Sequence, residues 1–263
     1  MKQLSIIFIN YNKKRALDKS LKNTMGQVNF ERGDEVIVAD GGSTDGTEKM
    51  LEKKYMPEVQ FVRVEERTEY NLNTVRNLGI RTAKNELISI FDGDVIPQPL
   101  CIDTLRTYAR KGDFVSGIVV FEQSVREQER QAKKFDGMAL TGGALINAPI
   151  EYILDELDSP KDIIRGTIGS CMCFHKQDAL DVGLFDEDYN GCWGYDDMDF
   201  ILKLYFNGVN ILTPKNFAPL KMAISYHQLH KSNNRWKERC AKRNLKILRE
   251  KLPNYKLQVF SYG

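Results

Sequence analysis

Short apolar runs alternate with charged, helix-spaced stretches through the N-terminal part of the chain. Residues 4–9 are a nearly continuous apolar run that stops at Asn10-Tyr11-Asn12. A short apolar run bounded by polar residues predicts a buried strand. A charged segment follows, with Ala16, Leu17 and Leu21 near helical spacing. Residues 35–39 predict a second strand ending at Asp40. The turn at 41–46, Gly-Gly-Ser-Thr-Asp-Gly, offers a serine or threonine to cap a helix through Met50 and Leu51. Further strands are predicted over 59–64 and 87–91, with a helix over 71–83 between them. This alternation argues for βαβ units and a mostly parallel sheet flanked by helices, an α/β fold. Such sheets bind ligands beyond the carboxyl ends of their strands. Asn10 to Asn12, Asp40, and Asp92 with Asp94 all fall at such ends.

The remainder is less regular. Residues 122–134 are highly charged and read as helical, and 137–165 read as a loop-rich excursion with Gly142-Gly143, Pro149 and Pro160. Residues 168–174 are strand-like, and 196–207 carry Phe200, Ile201, Leu204 and Tyr205 in a helical pattern. Residues 208–212 and 222–226 predict two more strands, and 233–252 a basic helix. No repeat or linker interrupts the chain. The expectation is one domain, with 1–95 as one half, 96–232 as the other, and 233–263 as a basic C-terminal helix and tail.

Composition adds limits. A length of 263 residues suits one large α/β domain. A net charge of +2 gives no reason to expect nucleic acid as a partner. Cys101, Cys171, Cys173, Cys192 and Cys240 are an odd set at irregular spacing, a poor disulfide framework that fits a reducing cytosol. No apolar run approaches the ~18–20 residues of a membrane span.

Asp92-Gly93-Asp94 closes the strand at 87–91. If Gly93 lets the chain bend there, both carboxylates can face one hard divalent cation; a plain surface turn has the same composition. The companions decide between them. Ile9-Asn10-Tyr11-Asn12, Ala39-Asp40-Gly41-Gly42-Ser43-Thr44-Asp45-Gly46, Asn73-Thr74-Val75-Arg76-Asn77-Leu78-Gly79 and Phe91-Asp92-Gly93-Asp94 follow one another in order. Together they resemble the family 2 glycosyltransferases of GT-A fold, with a Rossmann-like nucleotide-binding half. The resemblance implies that Tyr11 stacks on or flanks the base and that Asp40 accepts a hydrogen bond from uracil. It also implies that Arg76 helps hold the nucleotide, Asp92 meets the ribose, and Asp94 ligates a metal.

A second element, Trp193-Gly194-Tyr195-Asp196-Asp197, is similar to the Trp-Gly-x-Glu-Asp element of galactosyl- and N-acetylgalactosaminyltransferases and of bacterial chondroitin polymerase. Asp196 stands where the pattern has Glu. By this likeness Asp197 is the general base that takes the acceptor's proton, Asp196 hydrogen-bonds acceptor hydroxyls, and Trp193 is a platform for a sugar face. Tyr226-His227-Gln228 resembles a motif of the chondroitin polymerase-like domains whose histidine is a metal ligand, so His227 joins Asp94. A carboxylate, an imidazole and phosphate oxygens suit Mn²⁺ (or Mg²⁺) better than Ca²⁺.

The resemblance implies an inverting transferase that moves a hexose or N-acetylhexosamine, with galactose or N-acetylgalactosamine favoured. The donor is a UDP-sugar and the acceptor a saccharide or lipid-linked saccharide of bacterial surface polysaccharide. In the C-terminal helix, Arg235, Lys237, Arg239, Lys242, Arg243, Lys246, Arg249 and Lys251 outweigh Glu238 and Glu250. Either this is a solvated face, or 235–251 touches the anionic inner surface of a membrane. A nucleotidyltransferase would carry a glycine-rich, basic loop where Asn10-Tyr11-Asn12 stands, and an NAD enzyme needs a G-x-G-x-x-G that is absent. A non-catalytic binding protein of the same fold need not keep Asp92, Asp94, Asp197 and His227 together.

Overall fold

Strands β1 (Leu4–Asn10), β2 (Glu35–Asp40), β3 (Val59–Arg63) and β4 (Leu87–Asp92) pair in parallel in the order β3-β2-β1-β4. Helices α1 (Lys14–Gln27), α2 (Thr47–Lys54) and α3 (Leu72–Thr82) make the crossovers. This computed structural model describes residues 2–27, 33–65, 70–98, 100–121, 169–214, 216–228 and 234–252. The uniform apolarity of β1 follows from burial on both faces. Ile7 and Ile9 join Val75 and Ile80 of α3 in one cluster, whereas Leu4, Ile6 and Phe8 join Leu17, Leu21 and Leu51 of α1 and α2 in another. Each such side chain contributes about 1.5–3 kcal/mol when fully buried.

Beyond β4 the chain forms β5 (Val95–Pro97), α4 (Cys101–Tyr108), β6 (Asp113–Ser116) and β7 (Ile118–Phe121). Strand β8 (Cys171–His175) follows, then α5 (Lys176–Asp181), α6 (Asp196–Phe206) and β9 (Asn210–Leu212). Strand β10 (Ile224–His227) and α7 (Asn234–Lys251) complete the described chain. β8 runs antiparallel to β4 and extends the sheet to β3-β2-β1-β4-β8-β6-β9, while β5-β10-β7 forms a smaller one. The result is a mixed, mostly parallel sheet flanked by helices, as expected from the sequence. Among the described residues, no helix is long and apolar enough to cross a membrane.

Some expectations need correction. Ser43 and Thr44 do not cap α2: its N-cap is Gly46, at φ 84°, and the carboxylate of Asp45 receives the Thr47 amide at 3.1 Å. Met222 ends a 3₁₀ turn (Ala218–Met222) opened by Pro219, so the last strand begins at Ile224 and includes His227. The elements over 101–121 and 176–181 went unread because they are too short to show a period. The segments at 122–134 and 137–165 lie outside the described residues.

Candidate active site

Register gathers the site. Asn10 of β1 sits opposite Asp40 of β2, and Ile9 opposite Asp92 of β4, so three polar strand ends meet at one edge. β10 pairs with β5 so that His227 lies beside Val95. The Gln228 amide donates to the Asp94 carbonyl at 2.9 Å, and its side chain donates to the Ala16 carbonyl at 3.0 Å. Residues far apart in sequence thereby form one cluster: ligand atoms of Asp92, Asp94 and His227 all lie within 4.8 Å of one another. Gly93 permits this for a reason of space. A Cβ there would stand 2.9 Å from the Ile9 carbonyl oxygen.

These residues fit a divalent cation. Asp92 Oδ1 is buried and has no hydrogen-bond partner among the described residues. Burial raises the pKa of Asp92; Arg76 pulls it down and Asp94 pushes it up again. A bound cation would relieve that strain between carboxylates. His227 Nδ1 lies 3.0 Å from the Gln228 carbonyl, and Nε2 lies 3.8 Å from Asp94. With its proton on Nδ1, Nε2 presents its lone pair to the cluster. Lys13 Nζ sits 2.5 Å from Asp94 Oδ2.

On the nucleotide side, Tyr11 is half-buried at the end of β1, with its Cβ near Gly41. Asp40 is fully buried and receives the Gly42 and Ser43 amides, the Ser43 hydroxyl and the Asn10 side-chain amide. Those bonds use the acceptor capacity of a carboxylate, so Asp40 shapes the loop at 41–43. The Asn73-to-Asn77 motif is a clasp. Asn73 donates to the Asp186 carbonyl at 2.7 Å, Thr74 to Glu187 at 2.8 Å and Asn77 to the Phe185 carbonyl at 2.9 Å.

Arg76 stands at the centre and is 3% exposed. Its Nη1 pairs with Asp196 Oδ2 at 2.5 Å, and its guanidinium lies 4.8 Å from the Phe185 ring centroid. Burial opposes its charge, but Asp196, then Asp92 and Asp197, outweigh burial and raise its pKa. Asp196, expected among acceptor hydroxyls, is itself only 5% exposed and turned to Arg76. Asp197 lies beside it. Burial first, and then the charge of Asp196, push its pKa up to about 6 against Arg76 and the amides of Met198 and Gly169.

Helix α7 closes the other side. Lys237 Nζ lies 4.7 Å from the ring centroid of half-buried Trp193, and Trp236 meets Tyr70 edge-on at 5.2 Å. Tyr70 stays protonated: burial, then Asp196, raise its pKa. Buried Asn244 donates to the Gly194 carbonyl at 2.7 Å, holding the loop that carries Trp193. Sequence reasoning missed Lys13, Tyr70, Gly169, Trp236, Lys237 and Asn244 as members of the site. Only Lys13, one residue past Asn10-Tyr11-Asn12, carried a signal that could have found it.

Comparison with known proteins gives the family and the fold. The sequence model described as "Glycosyl transferase family 2" matches residues 5–182. Among curated proteins, the chain is 28% identical to a chondroitin synthase of Pasteurella multocida, with 95% of this chain and 27% of that protein aligned. It is 25% identical to the chondroitin synthase of Escherichia coli, over 96% of this chain and 39% of that one. The chain thus spans well under half the length of these relatives. Solved structures that share its fold include two with a bound nucleotide-sugar. A Pyrobaculum calidifontis mannosyltransferase with GDP-Man and Mn²⁺ superposes at TM-score 0.66 and 18% identity, over 98% of this chain and 66% of the other. Staphylococcus aureus TarS with UDP-GlcNAc does so at 0.66 and 16%, over 97% and 68%.

Proposed function

The chain belongs to glycosyl transferase family 2, and on that premise we propose that it is an inverting, metal-dependent hexosyltransferase using a UDP-sugar. The observation that carries this is the Asp92, Asp94 and His227 cluster, whose ligand atoms lie within 4.8 Å of one another, together with the raised carboxyl of Asp197, both centres acting on buried Arg76. Asp92, Asp94 and His227 would hold Mn²⁺ or Mg²⁺, which when bound offsets phosphate charge. Tyr11 flanks the base, the loop shaped by Asp40 borders it, and Asp92 reaches the ribose. Trp193 offers an apolar face to the acceptor sugar.

Asp197 takes the proton of the acceptor hydroxyl as that oxygen bonds to the anomeric carbon. The bond from that carbon to the β-phosphate oxygen breaks on the opposite face, and its electron pair leaves with UDP. A pKa of about 6 suits a base that must be ionised near neutral pH yet still accept a proton.

Galactose or N-acetylgalactosamine is the favoured donor sugar, through the Trp-Gly-x-acid-Asp element. A saccharide or lipid-linked saccharide is the acceptor, in bacterial surface-polysaccharide synthesis; the relatives named as chondroitin synthases support a polysaccharide setting. The exposed side of α7, with Arg235, Arg239, Lys242, Lys246 and Arg249, suits peripheral contact with an anionic membrane in the cytoplasm. Exchanging those five for Gln should abolish binding to anionic vesicles, and unchanged binding would refute the contact.

The deciding experiment is donor hydrolysis across UDP-sugars with Mn²⁺ and Mg²⁺, for wild type and Asp94→Ala. Metal-dependent release of UDP from a hexose donor, lost in the variant, is expected. No hydrolysis and no metal-dependent UDP binding would sink the reading.

A further inference from the structure

Ser20 and Gln228 meet beside the acidic cluster without belonging to it. Ser20 lies in α1 with no exposed surface, between Leu17 and Leu21 of the apolar core. A hydroxyl buried there is unfavourable unless its hydrogen bonds are made. This one is used twice. It donates to the Gly93 carbonyl at 3.0 Å and accepts from the Gln228 side-chain amide at 3.1 Å. The same amide group donates to the Ala16 carbonyl at 3.0 Å. Ala16 and Ser20 are one helical turn apart, so a single NH₂ group reaches both.

These bonds fix the two segments that carry the ligand side chains. Gly93 is held from both sides, its amide by the Ile9 carbonyl at 2.7 Å and its carbonyl by Ser20. The planar peptide that leads into Asp94 thereby has a set orientation. Gln228 reaches the ligands through its backbone. Its amide donates to the Asp94 carbonyl at 2.9 Å, and its carbonyl lies 3.0 Å from His227 Nδ1. Its side chain ties both of those contacts to α1. The position of Asp94 relative to His227 is therefore referred to one helix. Asp92 and Asp94 oppose each other's ionisation, so the cluster would spread if it were free to. Holding it gathered lowers the ordering cost of binding a cation.

On the metal-dependent reading, we propose that Ser20 and Gln228 are positioning residues of the cation site, one bracket that holds the 92–94 turn and the end of β10 against α1. Neither ligates the cation. Ser20 acts through the peptide between Gly93 and Asp94, and Gln228 through Asp94 and the ring of His227. Helix α1 is thus a support of the metal centre as well as a crossover between strands.

The test is titration of the full chain with Mn²⁺, following the spin-resonance signal of the free ion. It compares wild type, Ser20→Ala, Gln228→Leu, the double variant and Leu51→Ala, each well below its melting temperature. Leu51 is a buried core residue of α2 outside the site. Each single variant of the bracket should weaken Mn²⁺ about tenfold, as loss of an outer partner of a ligand does. The double variant should lose less than the product of the two, about a hundredfold, because the residues share one hydrogen bond and one task. Leu51→Ala should melt lower and keep wild-type Mn²⁺ affinity. Unchanged affinity in either single variant, or an equal loss in Leu51→Ala, overturns the positioning role while Mn²⁺ binding by wild type stands. A full product in the double variant would mean two separate supports and overturn the single bracket. Wild type that binds no Mn²⁺ removes the metal reading, and the positioning role with it.

Discussion

Asp197 can act as a base only when ionised, and its surroundings set the pH at which that happens. Burial, and next the charge of Asp196, lift its pKa to about 6. Transfer should therefore decline below about pH 6 with a one-proton acid limb in kcat/KM. A limb near the ordinary carboxylate value of about 4 would show that Asp197 is not the base. The same shift bears on folding. Because the folded pKa lies above the unfolded one, the native state binds the extra proton between about pH 4 and 6, and stability is lost as pH rises through that window. Asp197→Asn removes the loss. It should be more stable than wild type at pH 7, by about 2–3 kcal/mol on the linkage scale, and the advantage should vanish below about pH 4 while transfer stays absent throughout. Gly169 belongs to the same argument. A Cβ there would lie 2.9 Å from the Asp197 Cβ and 3.0 Å from Arg76 Nη2, so this glycine is a matter of room for the base. No sequence motif marks it.

Among the elements, α7 shows best what periodicity reveals and what it hides. Its basic character was legible, and Cys240 and Leu248 lie buried on its apolar side. The uses of individual charges were not legible. Arg243 donates to the carbonyls of Asp188 and Asn190, and Lys251 pairs with Asp186 and Asp188, so part of the basic face is an internal fastening. Asn244 is the least expected of these residues. It is fully buried in an otherwise apolar stripe, and it serves the Gly194 carbonyl and, at 3.3 Å, that of Cys192. Asn244→Ala leaves those buried acceptors without their donor, which costs about 1–3 kcal/mol. Chemical denaturation should show that loss. KM for the acceptor should rise more than KM for the donor, because the loosened loop carries Trp193. An equal rise in both would mean that α7 supports the fold without orienting that loop.

Across the whole molecule, the donor half was legible because its chemistry sits at the ends of consecutive parallel strands, which sequence order alone brings together. The second half depends on pairings that no local pattern encodes: β10 inserted between β5 and β7, and α3 clasped to the turn after Phe185. Arg76 and Asp196 are the extreme case, a buried ion pair between the two halves of the chain. Arg76 was expected to meet the nucleotide and Asp196 the acceptor, yet each satisfies the other and both act on Asp197. Their effects on that base have opposite signs: Asp196 raises its pKa and Arg76 lowers it. Asp196→Asn should thus move the acid limb of transfer below about pH 6, and Arg76→Lys, which removes the guanidinium that pairs with Asp196 and weakens the pull on Asp197, should move it above. Removing one member of a buried pair costs about 3–5 kcal/mol, so each variant needs its pH profile measured well below its melting temperature. A shared loss of activity with an unmoved limb would make the pair a fastening between the halves. Opposite displacements of the limb would show that the ion pair joining donor side to acceptor side also sets the pH at which the base is ready.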